Sequence, residues 1–501
     1  MAKRVIIVGG GLAGLAATEA LSARGIDVTL FESRPRLGGR ASSFEDRTTG
    51  ALIDNCQHVS LGCCTNFQKF CESTGLADAF RTEPQLYFVA NDRRLNRFAE
   101  TRWPAPFHLE SAFRRLSFLT WRDRVALARG LAALAKRGSQ RIDDERFDRW
   151  LADHGQTENA VNRFWHVVLV SALSESLDRI GTSHARKVFV DTFLANRNGW
   201  HVQVPTVPLE TLYGERLSSH LKRQRATICV GTGVRRLIAE GDRIVSVELR
   251  NGETVTGDEF VVAVPHHLLR SLLPPSIAED DVLRQIERLE TAPISSVHLW
   301  FDRSITDLPH AVLVDRLGQW MFNRTALQGA SAGGSMGHYY QIVISASREL
   351  EGTPSGEAIA TVRDELNEIW PAARDAELLH SRLVTEHRAV FSATPESDRF
   401  RPAQQSPVAN LQLAGDWTST GWPATMEGAV RSGYLAAENV LARLGRPGPL
   451  IQPDLPIGRL SRWLFGLESS GPGSRIRERP DQIRHDSEQH VAQAAESASQ
   501  L

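Results

Sequence analysis

The sequence has little of what marks a secreted, membrane-spanning or nucleic-acid-binding protein. Five cysteines in 501 residues, four of them crowded between positions 56 and 71, do not make a disulfide framework and point to a reducing cytoplasm. Lys plus Arg (58) and Asp plus Glu (59) nearly cancel, for a formal charge of −1. The basic excess that holds a phosphate backbone is missing, so no nucleic-acid partner is expected. No run approaches the roughly 20 apolar residues of a membrane span. Lys3 and Arg4 lead straight into a strand and a glycine turn, which is not a signal-peptide layout. What remains is a globular profile, 42% hydrophobic and 23% charged, and a length that predicts two domains.

The strongest pattern opens the chain. "RVIIVGGGLAGLAATEALSARGIDVTLFE" reads as strand, tight turn, helix and second strand, with a β-branched run suited to a buried parallel strand. Gly9, Gly11 and Gly14 form G-x-G-x-x-G: one glycine for the turn, one for approach to a pyrophosphate, one for close helix–strand packing. The amides around Leu12 and Ala13 begin a helix whose dipole faces that phosphate. Glu32, 18 residues after Gly14 and followed by Ser33, stands where a carboxylate binds a ribose hydroxyl. A Gly38-Gly39 doublet and Arg40 follow, fitting a second clamp on a diphosphate. That clamp favours FAD over a plain nicotinamide nucleotide.

A second signal sits near the other end. In "NLQLAGDWTSTGWPATMEGAVRSGYLAAENVL", a short strand ends at Gly415-Asp416. A helix rich in small residues starts about Met426, after Thr425. Its first amides would face the electron-accepting edge of a flavin ring, where the dipole stabilises negative charge.

Together with "FVVAVP" in mid-chain, these motifs resemble the FAD-dependent amine oxidase and phytoene desaturase superfamily. "IDNCQHVSLGCC", "VPTVPLETLY", "VHLWFDR" and "LAGDWTSTGWPATMEGAVRSG" are similar to its squalene-associated branch, the hydroxysqualene dehydroxylases. The resemblance covers about residues 1–445. It implies an α/β architecture: a Rossmann-like FAD-binding domain from 1–80, 205–275 and 400–445, interleaved with an α+β substrate domain from 81–204 and 276–399. It also implies that Val234 contacts the adenine and that Asp54, Gln57 and His58 lie near the isoalloxazine.

The cysteine spacings of seven, one and seven do not suit a metal, and none is expected. Under the resemblance, Cys63, Cys64 and Cys71 are small apolar residues on the helix after the flavin face. Amine oxidases of the fold carry a Lys on the strand matching "PISSVHLWF", which here offers Ser295, Ser296 and His298. That departure points away from amines and toward an isoprenoid lipid, hydroxysqualene in the first reading. Phe164, Trp165, Trp200, Pro205, Pro208, Leu209, Trp300, Trp320 and Tyr339 are candidates to line its tunnel. For reductive dehydroxylation, His58 is the candidate general acid, with Asp54 orienting it or replacing it. The alternatives are a carotenoid desaturase, a flavin amine oxidase, or a non-catalytic prenyl-lipid carrier of the same fold. No second dinucleotide fingerprint is present, so the electron donor is unidentified.

Beyond Leu444 the composition shifts. "GRPGPLIQPDLP" reads as a Pro-rich linker and the chain from Ser469 as a disordered polar tail. Between them, "IGRLSRWLFGL" has apolar residues at helical spacing beside Arg459 and Arg462. It either packs on the body or makes peripheral contact with the inner face of a membrane.

Overall fold

Arg4–Val8 is the middle strand of a five-stranded parallel sheet, and its residues 5–8 are almost wholly buried. The order is Thr227–Cys229, Asp27–Phe31, Arg4–Val8, Glu259–Val262 and Leu411–Leu413. The computed structural model describes residues 3–137, 144–329, 332, 334 and 336–468.

Three distant stretches therefore supply one sheet. The helix Leu12–Ser22, buried along its whole length, lies between that sheet and the helix Met426–Arg443. Small residues allow the close crossing: a Cβ on Gly433 would sit 2.2 Å from the Ala13 carbonyl oxygen. On the opposite face, an antiparallel ribbon of Val234–Glu240, Arg243–Leu249 and Thr254–Thr256 packs through Leu237, Val247 and Leu249 against Phe260.

A second, seven-stranded sheet runs Leu378–Phe391, Thr291–Phe301, His338–Ser345, Trp320–Asn323, His310–Leu313, Leu86–Val89 and Leu95–Phe98. Only the pairing of His310–Leu313 with Leu86–Val89 is parallel. Helices between residues 110 and 194 cover it around a buried aromatic cluster of Phe147, Trp150, Trp165 and Phe189. The longest of them, Trp121–Lys136, is started by a capping box. Thr120 Oγ1 accepts the Asp123 amide, and Asp123 Oδ2 accepts the Thr120 amide at 2.7 Å.

The stretch expected to be a linker is instead strapped down. Leu450 is buried, the Gln452 amide donates to Asn66 Oδ1 at 2.8 Å, and Asp454 pairs with Arg431. The helix Arg459–Phe465 follows; Ser461 Oγ donates to the Leu194 carbonyl at 2.6 Å and Leu467 is buried. Proline fixes φ in such a strap, and side-chain partners on the body then outweigh the lost helix. The tail from Ser469, expected to be disordered, lies outside the described residues. Among the described residues no helix is long and apolar enough to cross a membrane.

Candidate active site

One continuous cavity of about 570 Å³ runs from the first glycine turn into the helical layer. At one end it is walled by backbone and polar groups: Gly9, Gly11, Leu12, Ala13, Glu32, Ser33, Gly38, Gly39 and Arg40 from the N-terminal motifs, Val234 from mid-chain, and Gly415, Asp416, Thr425 and Met426 from the C-terminal loop. The sheet explains the meeting, because the strands leading into all three segments run parallel in one sheet and so end on the same side of it.

Each motif residue has a definable local task. Gly9 has φ +111°, and a Cβ there would lie 2.5 Å from the Ala263 carbonyl oxygen. At Gly14 a Cβ would meet the Gly9 carbonyl at 2.0 Å, so that glycine sits behind the turn, outside the cavity. At Gly11 the nearest group is Gly39 Cα at 4.0 Å, which leaves an open cradle. Glu32 Oε2 accepts the Gly10 amide and Oε1 the Arg34 amide, both at 2.7 Å. Its carboxylate is thereby locked facing the cavity, with lone pairs left for ribose hydroxyls.

Arg40 ties the N- and C-terminal motifs together. Its Nη2 donates to Asp416 Oδ1 at 2.5 Å and its Nη1 to the Ala389 carbonyl at 2.7 Å. Thr425 Oγ1 caps the last helix by accepting the Gly428 amide at 3.1 Å. Arg401, which the sequence motifs do not include, braces the same loop. Buried beneath it, Arg401 Nη2 donates to the carbonyls of Asp416, Thr418 and Trp422 at 3.0, 2.7 and 2.7 Å. Burial lowers its pKa to about 10, so it stays charged.

The segment after Arg40 departs from expectation in two respects. Asp54 does not orient His58. Wholly buried and outside the cavity lining, it accepts Ser43 Oγ at 2.6 Å and the Leu209 amide at 2.9 Å, and pairs with Nη2 of the equally buried Arg324. Arg324 Nη1 also donates to Gln57 Oε1. Arg324 therefore positions both Asp54 and the cavity-lining Gln57. It lies 270 residues from Asp54 in sequence, and no motif announces it.

His58 does line the cavity, but its ring nitrogen Nδ1 bonds the Cys56 carbonyl at 3.0 Å. Burial lowers its pKa from 6.5, outweighing the Cys56 carbonyl and the more distant Asp54 charge, which both raise it. The ring is neutral at pH 7; with Nδ1–H donating, Nε2 carries the lone pair. A ring shifted toward its neutral form takes up a proton more readily than it gives one, which weighs against the expected general-acid role.

The cysteines are free. Cys63 and Cys64 line the cavity just ahead of the helix Thr65–Thr74 rather than within it, and only Cys71 is helical. Desolvation pushes the Cys56 thiol to about 12.

The far end of the cavity is apolar, walled by Leu86, Phe88, Phe98, Phe164, Trp200 and Trp320 among others. Of the nine tunnel candidates, Phe164, Trp200 and Trp320 are on the wall. Trp165 is absorbed in the aromatic cluster, and its Nε1 donates to Gln156 Oε1 at 2.8 Å. Trp300 and Tyr339 stack on each other at 4.6 Å beyond the wall. Pro205, Pro208 and Leu209 are also absent from the lining. Ser295, Ser296 and His298 bond away from the cavity, to Ser347 and Thr385, to Gln341, and through Nδ1 to Tyr339 respectively, and His298 Nε2 is buried without a hydrogen-bond partner among the described residues. Their strand contributes only Ile294 to the cavity.

Fold and cradle define a dinucleotide-binding architecture with an apolar arm opening from it. The family described as "Flavin containing amine oxidoreductase" matches residues 12–441; the chain belongs to it, and FAD is its cofactor. The chain is 24% identical over 471 residues to the 15-cis-phytoene desaturase of Synechococcus elongatus, covering 88% of this chain and 96% of that protein. It is 26% identical over 468 residues to the enzyme of the same name from an Oncidium hybrid, covering 87% and 77%. Among solved structures, cyclohexylamine oxidase from Brevibacterium oxydans shares the fold with a TM-score of 0.67 at 17% identity, covering 89% of this chain and 100% of that one.

Proposed function

We propose that this FAD-dependent oxidoreductase acts on an isoprenoid chain held in the apolar arm, and that carotenoid-type desaturation is the leading reaction. The observation that carries the substrate class is the arm itself, a wall of Leu, Val, Phe and Trp side chains continuous with the FAD cradle. The similarity to phytoene desaturases supports the reaction. Bound FAD supplies a two-electron acceptor or donor for hydride. The neutral Nε2 of His58 suits desaturation, in which hydride and proton leave adjacent carbons and the proton needs a base.

Reductive dehydroxylation of hydroxysqualene is the second reading. It is favoured by the charged pair Lys187 and Asp191 on the wall beside the apolar arm, which a pure hydrocarbon would leave without a hydrogen-bonding partner. Amine oxidation has less support, since the Thr291–Phe301 strand brings no lysine to the cavity and contributes only Ile294. The intact FAD cradle weighs against a non-catalytic lipid carrier.

The segmental domain division given by the resemblance fits this proposal, with the cradle in one unit and the arm in the other. So does peripheral membrane contact, since a lipid of this class reaches the enzyme from a bilayer. Trp463 is 79% exposed, next to the exposed Arg462 and one turn on from the exposed Arg459, and Trp103 and Trp121, each 68% exposed, lie on segments neighbouring that helix.

Anaerobic turnover separates the reactions. Oxidised holoenzyme mixed with phytoene should bleach its flavin and yield a more conjugated polyene. Photoreduced holoenzyme mixed with hydroxysqualene should regain its yellow colour and yield squalene only under the second reading. Failure of both would remove the isoprenoid assignment.

A further inference from the structure

Lys187 and Asp191 are one turn apart on the helical stretch Thr182–Leu194 and pair through Nζ and Oδ2. On an open surface such a pair would be an ordinary, weak helix contact. Here both residues face the cavity, and their neighbours on the wall include Val188, Phe193 and Cys63. The Lys187 ammonium lies 4.2 Å from the centre of the Trp422 ring, on the loop that closes the FAD end. The pair therefore stands at the junction between cradle and hydrocarbon arm. Lys187 has unused N–H donors. The second carboxylate oxygen of Asp191 accepts no bond from the described residues.

Substrate binding replaces the water over these groups. A chain of pure CH₂ and CH₃ groups would desolvate an ammonium and a carboxylate without returning a hydrogen bond, which is unfavourable. A hydroxyl is the smallest group that serves both: its oxygen accepts from Lys187 while its O–H donates to Asp191. A primary amine would be repelled by Lys187 when protonated. A carboxylate would be repelled by Asp191.

We propose that the Lys187–Asp191 pair is a hydroxyl-recognition site, selecting an isoprenoid alcohol over the corresponding hydrocarbon and placing its C–OH carbon beside the FAD end of the cavity. This rests on the isoprenoid reading but not on the direction of electron flow; under the desaturation reading it makes a hydroxylated isoprenoid, rather than phytoene itself, the favoured substrate. It assigns specificity and leaves the redox step unchanged. It also implies that the reaction supplying this substrate leaves an oxygen on the chain.

The test is equilibrium binding of radiolabelled hydroxysqualene and squalene, presented in detergent micelles to the oxidised holoenzyme. Wild-type protein should prefer the alcohol by about tenfold to a hundredfold, the scale of hydrogen bonds to charged groups. Removing one partner alone strands a charge, so the decisive variant is the neutral double substitution Lys187→Met with Asp191→Leu, checked for full flavin content. It should lose the preference and bind squalene at least as well as wild type does. Equal binding of both lipids by wild type would overturn the proposal, as would an undiminished preference in the double variant. Loss of lipid binding altogether would instead sink the isoprenoid reading on which it rests, whereas selective binding without turnover would sink only the assigned reactions.

Discussion

The two ends of the cavity are built by opposite rules. At the FAD end, contacts come from backbone amides and short polar side chains, so the requirements on sequence are local: a glycine where φ is positive, a carboxylate where a strand stops, a cap where a helix starts. At the lipid end the wall is made of side chains that differ little from core residues. Leu86, Phe164 and Trp320 come from a strand, a helix and another strand, and nothing in their spacing distinguishes wall from interior. Trp165 is adjacent to Phe164 and packs in the same aromatic cluster, yet only Phe164 reaches the cavity.

The largest effect should come from the ion pair beneath the boundary between these ends. Arg324→Met leaves Asp54 buried and unpaired, which should lower stability by about 3–5 kcal/mol, with flavin released at a markedly lower temperature. Thermal unfolding followed by flavin fluorescence checks this. Adding Asp54→Leu should recover much of the loss, and no recovery would mean that Asp54 has other essential partners in Ser43 and Leu209.

Next in size is His58. His58→Gln should retain flavin and slow substrate-dependent flavin reduction by about 10²-fold, the scale of a lost proton acceptor. The sign of the pH dependence sharpens the reading. Because burial lowers the pKa, His58 is neutral throughout the range above 6.5. The wild-type rate should stay level above that value and fall as acid protonates the ring at lower pH. A rate that climbs on acidification would restore His58 as an acid.

Glu32→Ala and Arg40→Ala should each deplete flavin without unfolding the chain, measured as the ratio of flavin to protein absorbance after gel filtration. Ala172→Phe, at the lipid end, should do the reverse: full flavin, but KM raised about tenfold as the ring occupies space meant for lipid. If Ala172→Phe also loses flavin, the two ends are not separable. The smallest effect is expected outside the cavity. Replacing Arg459 and Arg462 with Gln should weaken sedimentation with anionic liposomes by about 1 kcal/mol per charge and leave binding to neutral liposomes unchanged.

The same contrast explains what could be read before folding. Gly9, Glu32, Arg40 and Thr425 were legible because each stands in a run whose neighbours report its conformation. The parallel sheet was legible for the same reason, its strands being short apolar runs ending in turn residues. Arg324 and Arg401 were not. A buried arginine is indistinguishable in sequence from a surface one until the partners that neutralise it are brought together, and those partners lie far away in the chain. His58 could be placed on the cavity, but not the direction in which it moves a proton, because its charge depends on desolvation by residues from other elements. Lys187 and Asp191 sit in a helix whose other polar residues are ordinary, and only the cavity makes them unusual. The Pro-rich stretch looked like a linker because composition does not disclose that Asn66, Arg431 and Glu438 wait on the body to hold it.

The edge strand Leu411–Leu413 pairs with Glu259–Val262, and the loop that follows it completes the FAD cradle. On a ribosome this means that the nucleotide half of the site exists long before the half that closes over the ring. At about 5–20 residues per second, roughly 20–80 s separate the emergence of the first strand from that of Leu411. Throughout that interval the nascent chain carries an unpaired sheet edge and an unroofed lipid arm, so the cofactor joins a nearly finished polypeptide. Messages cut short before codon 411 should therefore yield colourless, chaperone-bound fragments rather than weakly active enzyme.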